Sequence, residues 1–234
     1  MSRETGAYER PRVLPCGETA VSIEFGNAID RSVNERVQGL FRSMRELKCP
    51  GILDLIPCYR SLLIQYDPWE CSFERLLLMV EECLERPPGV EPGGAETLEI
   101  PVCYGGELGP DLEDVAAFHG LTADRVVELH SAPVYYVYMV GFAPGQPYLG
   151  GLDERLITPR RKEPRKKVPA GSVAIADQQA GIYAIESPGG WHLLGRTPLK
   201  IFDLGRADPF YISPGNKVRF KPISKEEFER YQGP

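Results

Sequence analysis

A stretch near the C-terminal third, SPGGWHLLGRTPLK at residues 187–200, combines side chains that could build a pocket for an anion. Pro188-Gly189 suits the two central positions of a type II turn, and Gly190 allows backbone N–H groups to approach an anion closely. Trp191 could wall such a pocket, and Arg196 could bind a carboxylate through two parallel hydrogen bonds. The same residues suit an ordinary turn between two strands equally well.

Three more polar side chains are candidate catalytic groups alongside Arg196. His130 ends a predicted helix, where the helix dipole favours a protonated imidazole that could orient a ligand carboxylate or simply cap a free carbonyl. Tyr138 lies in a predicted aromatic strand, where such rings usually belong to the core, although one could face a cleft. Glu186 could act as an acid or a base, but an exposed glutamate at any strand end would look the same.

A strongly basic segment, RRKEPRKK at residues 160–167, stands out in an otherwise acidic chain. It could contact a phosphate, a carboxylate or an acidic partner surface, and Arg160 and Arg165 are its candidate contacts. The alternative is a solvated loop whose charges keep edge strands from pairing. Pro164 and Pro169 would hold the segment semi-extended in either case.

Several well-known catalytic patterns are missing from the sequence. There is no G-x-x-x-x-G-K-[ST] phosphate loop and no G-x-S-x-G nucleophile elbow. Ser172, in AGSVA, has no histidine nearby in sequence, so a catalytic triad would have to assemble across the fold. The three histidines are scattered and the six cysteines form no C-x-x-C pair, which argues against a metal site and indicates free thiols.

The composition indicates a soluble protein with a substantial core. The chain has 234 residues, 42% of them hydrophobic, and a formal net charge of -6. Dedicated nucleic-acid binders usually carry a basic domain, so the acidic balance argues against that class. The N-terminus has no apolar signal region, and no apolar run approaches the roughly 20 residues that span a bilayer. We therefore expect a cytoplasmic protein that has no membrane segment.

The residue order predicts two domains, at residues 1–92 and 93–234, joined by a Pro/Gly-rich linker at residues 85–94. The first domain reads as a strand, a helix, two strands and a helix. This order predicts an α+β module whose helices cover one face of a mainly antiparallel sheet. Asp30 and Ser72 are the expected N-caps of its two helices.

The second domain is expected to begin with a strand and two short helices, which start at Asp111 and Thr122. An aromatic strand at residues 134–142 follows, and then short strands alternate with Pro/Gly turns, which is typical of a closed sheet or a sandwich. The last segment, residues 210–223, predicts a hairpin with Pro214-Gly215 at its turn. The other short strands are expected at residues 171–177, 181–187, 191–197 and 199–203.

Long stretches of this sequence resemble the KipI / PxpB family, once called allophanate hydrolase subunit 1 and linked to the PxpB subunit of bacterial 5-oxoprolinase. The resemblance is carried by YMVGFAPGQPYLGGLD, by TPRRKEPRKK through to LKIFD, and by PGNKVRF. GETAVSIEFG and IPCYRSLLIQYDP, nearer the N-terminus, match as well. The resemblance extends over residues 13–223.

The resemblance implies a cyclophilin-like β-barrel for the second domain and a small α/β module for the first. It implies a subunit of a cyclic amide hydrolase, inactive alone, that works with two companions, one KipA-like and the other LamB/YcsF-like. The assembly would use ATP, shared with a companion subunit, to open 5-oxo-L-proline to L-glutamate, and magnesium is a possible second cofactor. Phosphorylation of the lactam oxygen would activate the ring carbon for attack by water.

Other members of the family imply different roles. KipI-type proteins inhibit a sporulation histidine kinase by binding its helical dimerisation domain, which would make this chain a binding module without catalysis. Some relatives are fused to urea-degrading enzymes or are their neighbours, but the glycine- and serine-rich signature of an amidase is missing here. A cyclophilin-like barrel also suggests peptidyl-prolyl isomerase activity, by fold analogy alone.

The cleft expected from these motifs is formed largely by the stretch at residues 187–200 and by the basic segment at residues 160–167. Gly189, Gly190 and Arg196 would form a wall that holds an anion, while Arg160 and Arg165 would face phosphate or the KipA-like companion. The expected residues of this cleft for substrate or partner are Phe142, Pro144, Gly145, Arg160, Arg165, Pro169, Gly171, Ser172, Pro188, Gly189, Gly190 and Trp191.

Two positions depart from the family pattern inside the expected cleft. Gln146 stands where the family has an aromatic residue, and Asp177 begins a run where the family usually has glycine. We expect these two differences to bear on the choice of substrate or partner.

Overall fold

The computed structural model describes residues 6–85 and 97–231, and the chain divides into two compact units, Met1–Gly94 and Ala95–Pro234. The predicted linker lies outside the described residues except at Glu85, and so does the predicted domain boundary. Each unit has its own buried core and is described by itself.

The first unit is a four-stranded antiparallel sheet with two helices. Its elements are β1 (Ala7–Pro15), β2 (Ala20–Gly26), α1 (Arg31–Leu47), β3 (Ile52–Pro57), β4 (Ser61–Tyr66) and α2 (Phe73–Glu85). The strand order is β1-β2-β4-β3, and side chains from the sheet and both helices share one core. Apart from β1, this is the predicted order of strand, helix, two strands and helix.

Both helices of the first unit begin at the predicted caps. The Asp30 carboxylate accepts hydrogen bonds from the backbone N–H groups of Ser32 and Val33, at 2.8 and 3.2 Å. The Ser72 hydroxyl accepts one from the N–H of Arg75 at 3.3 Å. These side-chain oxygens satisfy donors that the first turn of a helix leaves free, which confirms both predictions.

The sequence does not predict strand β1. Its segment AYERPRVLP buries only Tyr8, so the alternating hydrophobic pattern that marks a strand is missing. The strand pairs with β2 along Arg12 to Pro15, and its register is interrupted between Ala7 and Arg12. Backbone pairing with β2, rather than burial of side chains, therefore accounts for this strand.

The second unit is built on a closed β-barrel. Its strands are β5 (Thr97–Tyr104), β6 (Tyr135–Val140), β7 (Pro147–Gly150), β9 (Ser172–Ala176), β10 (Gln179–Ile182), β12 (His192–Arg196) and β13 (Lys217–Pro222). Their order around the barrel is β10-β7-β6-β13-β5-β12-β9. Strand β13 pairs parallel with β5 and antiparallel with β6. The predicted α+β class, with a small module followed by a barrel, is confirmed.

The remaining elements of the second unit lie outside the barrel wall. Strands β8 (Arg165–Val168) and β11 (Ser187–Gly189) pair with each other as a small antiparallel sheet. The helices are α3 (Leu112–His119), α4 (Ala123–Ser131) and α5 (Lys225–Arg230), and Glu154–Leu156 forms one 3-10 turn. Thr122 caps α4 as predicted. Across the described ranges, no helix has both the length and the apolar character needed to cross a membrane.

The predicted C-terminal hairpin is wrong, although its turn exists. Gly215 has a φ of 87°, which favours glycine, and its N–H donates to the Val137 carbonyl at 2.8 Å. Residues before the turn form no strand, since Phe210 makes only an isolated bridge with Phe202. Strand β13 pairs with β5 and β6 instead, because this arrangement buries Val218 and Phe220 in the barrel core.

Two other predicted strands also differ from the structure. Residues 199–203 form no strand apart from the bridge at Phe202. The strand expected at residues 181–187 ends at Ile182, and the chain enters the other sheet at Ser187. Tyr183 marks the end of regular pairing, because its N–H donates to the Ser172 carbonyl while its own carbonyl accepts from the N–H of Gly171, one residue out of register.

Candidate functional site

A pocket of about 470 Å³ opens in the second unit, where strand β9 begins and strand β12 ends. Three side chains with charge line it: Glu186, Arg196 and Lys200. The rest of its wall is largely apolar and comes from Ala184, Ile185, Pro198, Leu199, Phe202 and Phe228. A small ligand with an apolar body and an anionic group would match this lining.

The turn that forms the rim of the pocket is held by specific contacts. The N–H of Thr197 donates to the Gly171 carbonyl at 2.9 Å, and the Thr197 hydroxyl accepts from the N–H of Leu199 at 3.3 Å. Gly171 has a φ of 81°, and a Cβ atom there would lie 2.5 Å from the Thr197 carbonyl oxygen. Only glycine therefore fits at position 171 without displacing the rim.

Arg196 reaches this pocket from the end of β12 and has no charged partner among the residues that the structure describes. Its Nε atom is buried and has no hydrogen-bond partner, and burial lowers the pKa of its guanidinium. Ser172 lies directly opposite on β9, and its fully buried hydroxyl also has no hydrogen-bond partner. The predicted candidates Gly171, Ser172, Glu186 and Arg196 are thus brought together at one place.

The other two charged side chains of the pocket are paired. Glu186 lies 3.0 Å from the Lys167 ammonium group, and Lys200 lies 3.6 Å from the Asp203 carboxylate. Both pairs are largely exposed, so water screens them. Glu186 is therefore an exposed carboxylate at the mouth of the pocket, which keeps it as a candidate acid or base.

The loop after β6 packs behind the pocket. A Cβ atom on Gly145 would lie 2.6 Å from Cβ of Phe202 and 3.3 Å from Cβ of Ala184, so this glycine permits close packing against the pocket wall. Gln146 next to it is buried, whereas Phe142 is 72% exposed and has a φ of 67°. Pro144 is exposed on the same loop, and none of these loop residues lines the pocket itself.

The basic segment is not the free loop that the sequence suggests. The Asp111 carboxylate, almost fully buried, accepts hydrogen bonds from Arg161 at 2.9 Å, from Arg165 at 2.7 Å and from the N–H of Leu193 at 2.7 Å. Burial raises the pKa of this carboxyl, but hydrogen bonds from Arg165 and Leu193 and the two guanidinium charges outweigh burial and lower the pKa overall. Asp111 thus fixes the segment against strand β12.

This arrangement corrects two predictions. Arg165 belongs to strand β8 and binds Asp111, rather than pointing freely at a phosphate or a companion protein. Asp111 occupies the N-cap position of α3, as predicted, yet its carboxylate makes no capping hydrogen bond because the arginines and Leu193 use it. Arg160 stays exposed, 3.3 Å from the Asp177 carboxylate and above the ring of Trp191. Pro169 lies two residues before the rim glycine.

The predicted anion-holding turn at residues 188–190 is wrong. Pro188 and Gly189 belong to strand β11, and neither Gly189 nor Gly190 has a positive φ. A Cβ atom on Gly189 would lie 2.1 Å from the Tyr183 hydroxyl oxygen, so this glycine makes room for a buried ring. Trp191 is 6% exposed and packs edge-on against Tyr148. None of these residues lines the pocket around Arg196.

His130 lies in the core of the barrel unit rather than in a cleft. Its side chain is fully buried, stacks on Phe220 and shares a 2.8 Å hydrogen bond with the Tyr104 hydroxyl. Burial lowers the pKa of His130 to about 3, so the predicted protonated imidazole is wrong. A neutral ring in this position serves packing, so the structure supports neither the ligand-orienting role nor a charged cap.

Tyr138 also lies away from the pocket. A Cβ atom on Gly150 of β7 would lie 2.1 Å from the Tyr138 ring, so the ring covers this glycine, and it also contacts Tyr136 edge-on. Sequence reasoning did not identify Phe202, Lys200 or Phe228 as pocket residues. The segment TPLK contains part of the rim, but nothing in the sequence places the C-terminal helix beside it.

Comparison with known proteins identifies the family. The sequence matches the family described as carboxyltransferase domain, subdomain C and D, over residues 11–212. The chain belongs to this family. It is also 39% identical over 233 residues to the 5-oxoprolinase subunit PxpB of Bacillus subtilis strain 168, covering 95% of this chain and 97% of the relative. The PxpB subunit of Escherichia coli O157:H7 is 41% identical over 214 residues, which are 92% and 97% of the two chains.

Solved structures show the same fold. TTHA0988 superposes with a TM-score of 0.81 and 38% identity, and the match covers 88% of this chain but only 40% of that longer one. The chain therefore spans about two fifths of the length of TTHA0988. PH0987 from Pyrococcus horikoshii gives a TM-score of 0.56 at 46% identity, over 93% of this chain and 100% of the other. The resemblance to the KipI / PxpB family is confirmed by these relatives.

Proposed function

We propose that this chain is the PxpB subunit of an ATP-dependent 5-oxoprolinase, which opens 5-oxo-L-proline to L-glutamate together with its KipA-like and LamB/YcsF-like companions. The observation that carries the proposal is the similarity to two curated PxpB subunits of 5-oxoprolinase along nearly the whole length of all three chains. The pocket beside Arg196 supports it, because 5-oxo-L-proline is a small ring that bears one carboxylate.

In the proposed reaction, the pocket of this chain supplies only some of the groups that take part. The γ-phosphoryl group of ATP is transferred to the lactam oxygen, and water then attacks the activated ring carbon. The ring C–N bond breaks to leave an acyl phosphate of glutamate, and a second water hydrolyses this acyl phosphate, so that glutamate, ADP and phosphate are released with the net uptake of two waters. We assign to Glu186, the carboxylate that lines the pocket, the role of accepting a proton from the attacking water. The companion proteins would supply the remaining groups, so we expect no turnover by this chain alone.

The residues of the pocket fit an anion better than a resident metal ion. Arg196 and Lys200 offer positive charge to a carboxylate or a phosphate. A single carboxylate, Glu186, lines the pocket, and no group of three or more His, Cys, Asp or Glu side chains in the described ranges could hold a metal ion. Magnesium in nucleotide sites is held largely by phosphates and water, so in our proposal it arrives with ATP.

The test is glutamate release from 5-oxo-L-proline and ATP by purified proteins. This chain alone, its genomic neighbours alone and the reconstituted set are compared at equal concentrations. We expect release only in the complete set, with one ADP formed for each glutamate. A complete, associated set that releases no glutamate would contradict the proposal. Capture of a histidine-kinase helical domain by the same chain would then favour the kinase-inhibitor role, which stays a prediction here.

A further inference from the structure

Arg196 is an exception among the cationic side chains that surround the pocket. Lys200 pairs with Asp203 and Lys167 with Glu186, and two arginines of the basic segment pair with Asp111. In the part of the chain that the structure describes, no carboxylate lies within 4.0 Å of the Arg196 guanidinium, and its Nε is buried without a partner. A partly desolvated guanidinium without a counter-charge is costly to the protein, and an anionic ligand would offset that cost.

Ser172 adds a second unpaired polar group at the same position. Ser172 and Arg196 are direct cross-strand partners of β9 and β12, so their side chains emerge on the same face. The Ser172 residue is 0% exposed and its Oγ has no hydrogen-bond partner. Buried hydroxyl groups are nearly always bonded, and the unpaired Oγ and Nε are complementary as acceptor and donor.

The apolar wall defines the body of the ligand. Leu199, Phe202 and Phe228 line the pocket, and Phe202 packs closely against Gly145. These side chains offer a surface for a compact ring or a short aliphatic chain. The charge and the wall together select a small apolar molecule with one carboxylate, rather than a highly charged metabolite.

We propose that Arg196 is the residue that binds the carboxylate of the ligand in this pocket, and that Ser172 positions the Arg196 guanidinium. In the bound arrangement that we propose, the two terminal nitrogens of Arg196 donate to the carboxylate. Nε, which has no partner in this structure, then donates to the Ser172 hydroxyl oxygen and holds the guanidinium plane towards the pocket. This inference deepens the proposed function and rests on it for the identity of the ligand, the carboxylate of 5-oxo-L-proline.

The test is a binding measurement by calorimetry or ligand-observed NMR on the full chain and on its complex with the two companion proteins. Three probes separate the contributions: 5-oxo-L-proline, 2-pyrrolidinone, which is the same ring without the carboxylate, and cyclopentanecarboxylate, which keeps the carboxylate without the lactam. We expect both carboxylates to bind at least about tenfold more tightly than 2-pyrrolidinone, which is the usual size of a charge-assisted contact.

Variants then assign the preference to residues. Arg196→Gln is expected to abolish the preference for carboxylate probes without weakening the binding of 2-pyrrolidinone. Arg196→Lys is expected to retain part of this preference. Ser172→Ala is expected to reduce the ratio of the affinity for 5-oxo-L-proline to the affinity for 2-pyrrolidinone. A merely structural role of Ser172 would leave this ratio unchanged. Arg219→Gln, which changes an exposed arginine on β13, is the matched control and should keep the full preference.

Three results would overturn the inference. One is an unchanged preference in folded Arg196→Gln, and another is equal binding of the three probes by the native protein. The third is the lack of binding by any probe at millimolar concentration, both alone and in the complex. Failure of the proposed function would look different. If the complete set of proteins releases no glutamate but the preference for carboxylate probes still depends on Arg196, the carboxylate site is kept and only the 5-oxoprolinase role is rejected.

Discussion

Asp111 shows how one buried carboxylate can organise a charged segment. Two arginines and one backbone N–H converge on it, so its negative charge is compensated by hydrogen bonds on several sides. A buried ion pair adds little stability over an apolar core, but removal of one member leaves an uncompensated charge. Asp111 therefore specifies where the basic segment lies, more than it stabilises the unit.

His130 gives a pH dependence that can be measured. Its folded-state pKa of about 3 lies below the ordinary value of about 6.5 for an unfolded histidine. As the pH falls below about 6.5, the unfolded chain gains a proton that the folded chain does not, so this contribution to stability is full above that pH and decreases below it. His130→Gln should make the fall in unfolding free energy between about pH 6.5 and about pH 4 shallower, by up to about 1.4 kcal/mol per pH unit.

The measurement is urea unfolding followed by the fluorescence of Trp191, in a background where the exposed Trp69 is replaced by Phe. Tyr104→Phe is the control, because it removes the hydrogen bond to His130 but keeps the titrating ring. An identical pH slope in the native protein and in His130→Gln would show that this histidine does not set the dependence.

Gly189, the last residue of strand β11, and Gly190, which follows it, offer a test with two neighbouring glycines. Gly189→Ala would bring a methyl group to 2.1 Å from the buried Tyr183 hydroxyl oxygen, whereas Gly190→Ala would meet its nearest neighbour at 3.6 Å. We expect Gly189→Ala to cost about 1–3 kcal/mol, the usual cost of overpacking, and Gly190→Ala to be nearly neutral. Thermal unfolding of the two variants side by side gives the comparison. Equal melting temperatures would mean that the Tyr183 ring moves aside freely.

The elements that the sequence predicts correctly are those with a local signal. Caps such as Asp30 and an apolar helical stripe are encoded within a few residues, so α1 and α2 could be predicted. The partner of β13 is set by distant strands, and a Pro-Gly turn at residues 214–215 looks the same whether or not a hairpin surrounds it. Pairing between residues far apart in sequence leaves no local trace, and the hairpin prediction failed for this reason.

The candidate site follows the same rule. Arg196 and Gly171 could be chosen from the sequence by residue type, because arginine suits carboxylates and glycine suits tight turns. The burial of His130 could not be predicted from the sequence, because a histidine at a helix end faces either water or the core according to how the helix packs. The contact between Asp111 and Arg165 joins residues 54 positions apart and appears only in the folded chain.

The two units have separate cores, which predicts that the second can fold alone. A fragment of residues 95–234 is expected to unfold cooperatively on heating and to give a dispersed amide NMR spectrum. The matched fragment 95–214, which lacks β13, should do neither, because it loses Val218 and Phe220 from the core and the pairing partner of two strands. Equal stability of the two fragments would contradict this account of the barrel.

The position of β13 also has a consequence for synthesis in the cell. Strands β5 and β6 are made early in the second unit, yet each keeps one edge unpaired until residues 217–222 arrive between them. During translation the nascent chain must therefore carry two open strand edges until these residues have left the ribosome. Such edges invite pairing with other chains. Slow translation or a premature stop just before β13 would leave these two strand edges exposed longest. We therefore expect chains that are delayed or ended at this point to depend on chaperones or to aggregate.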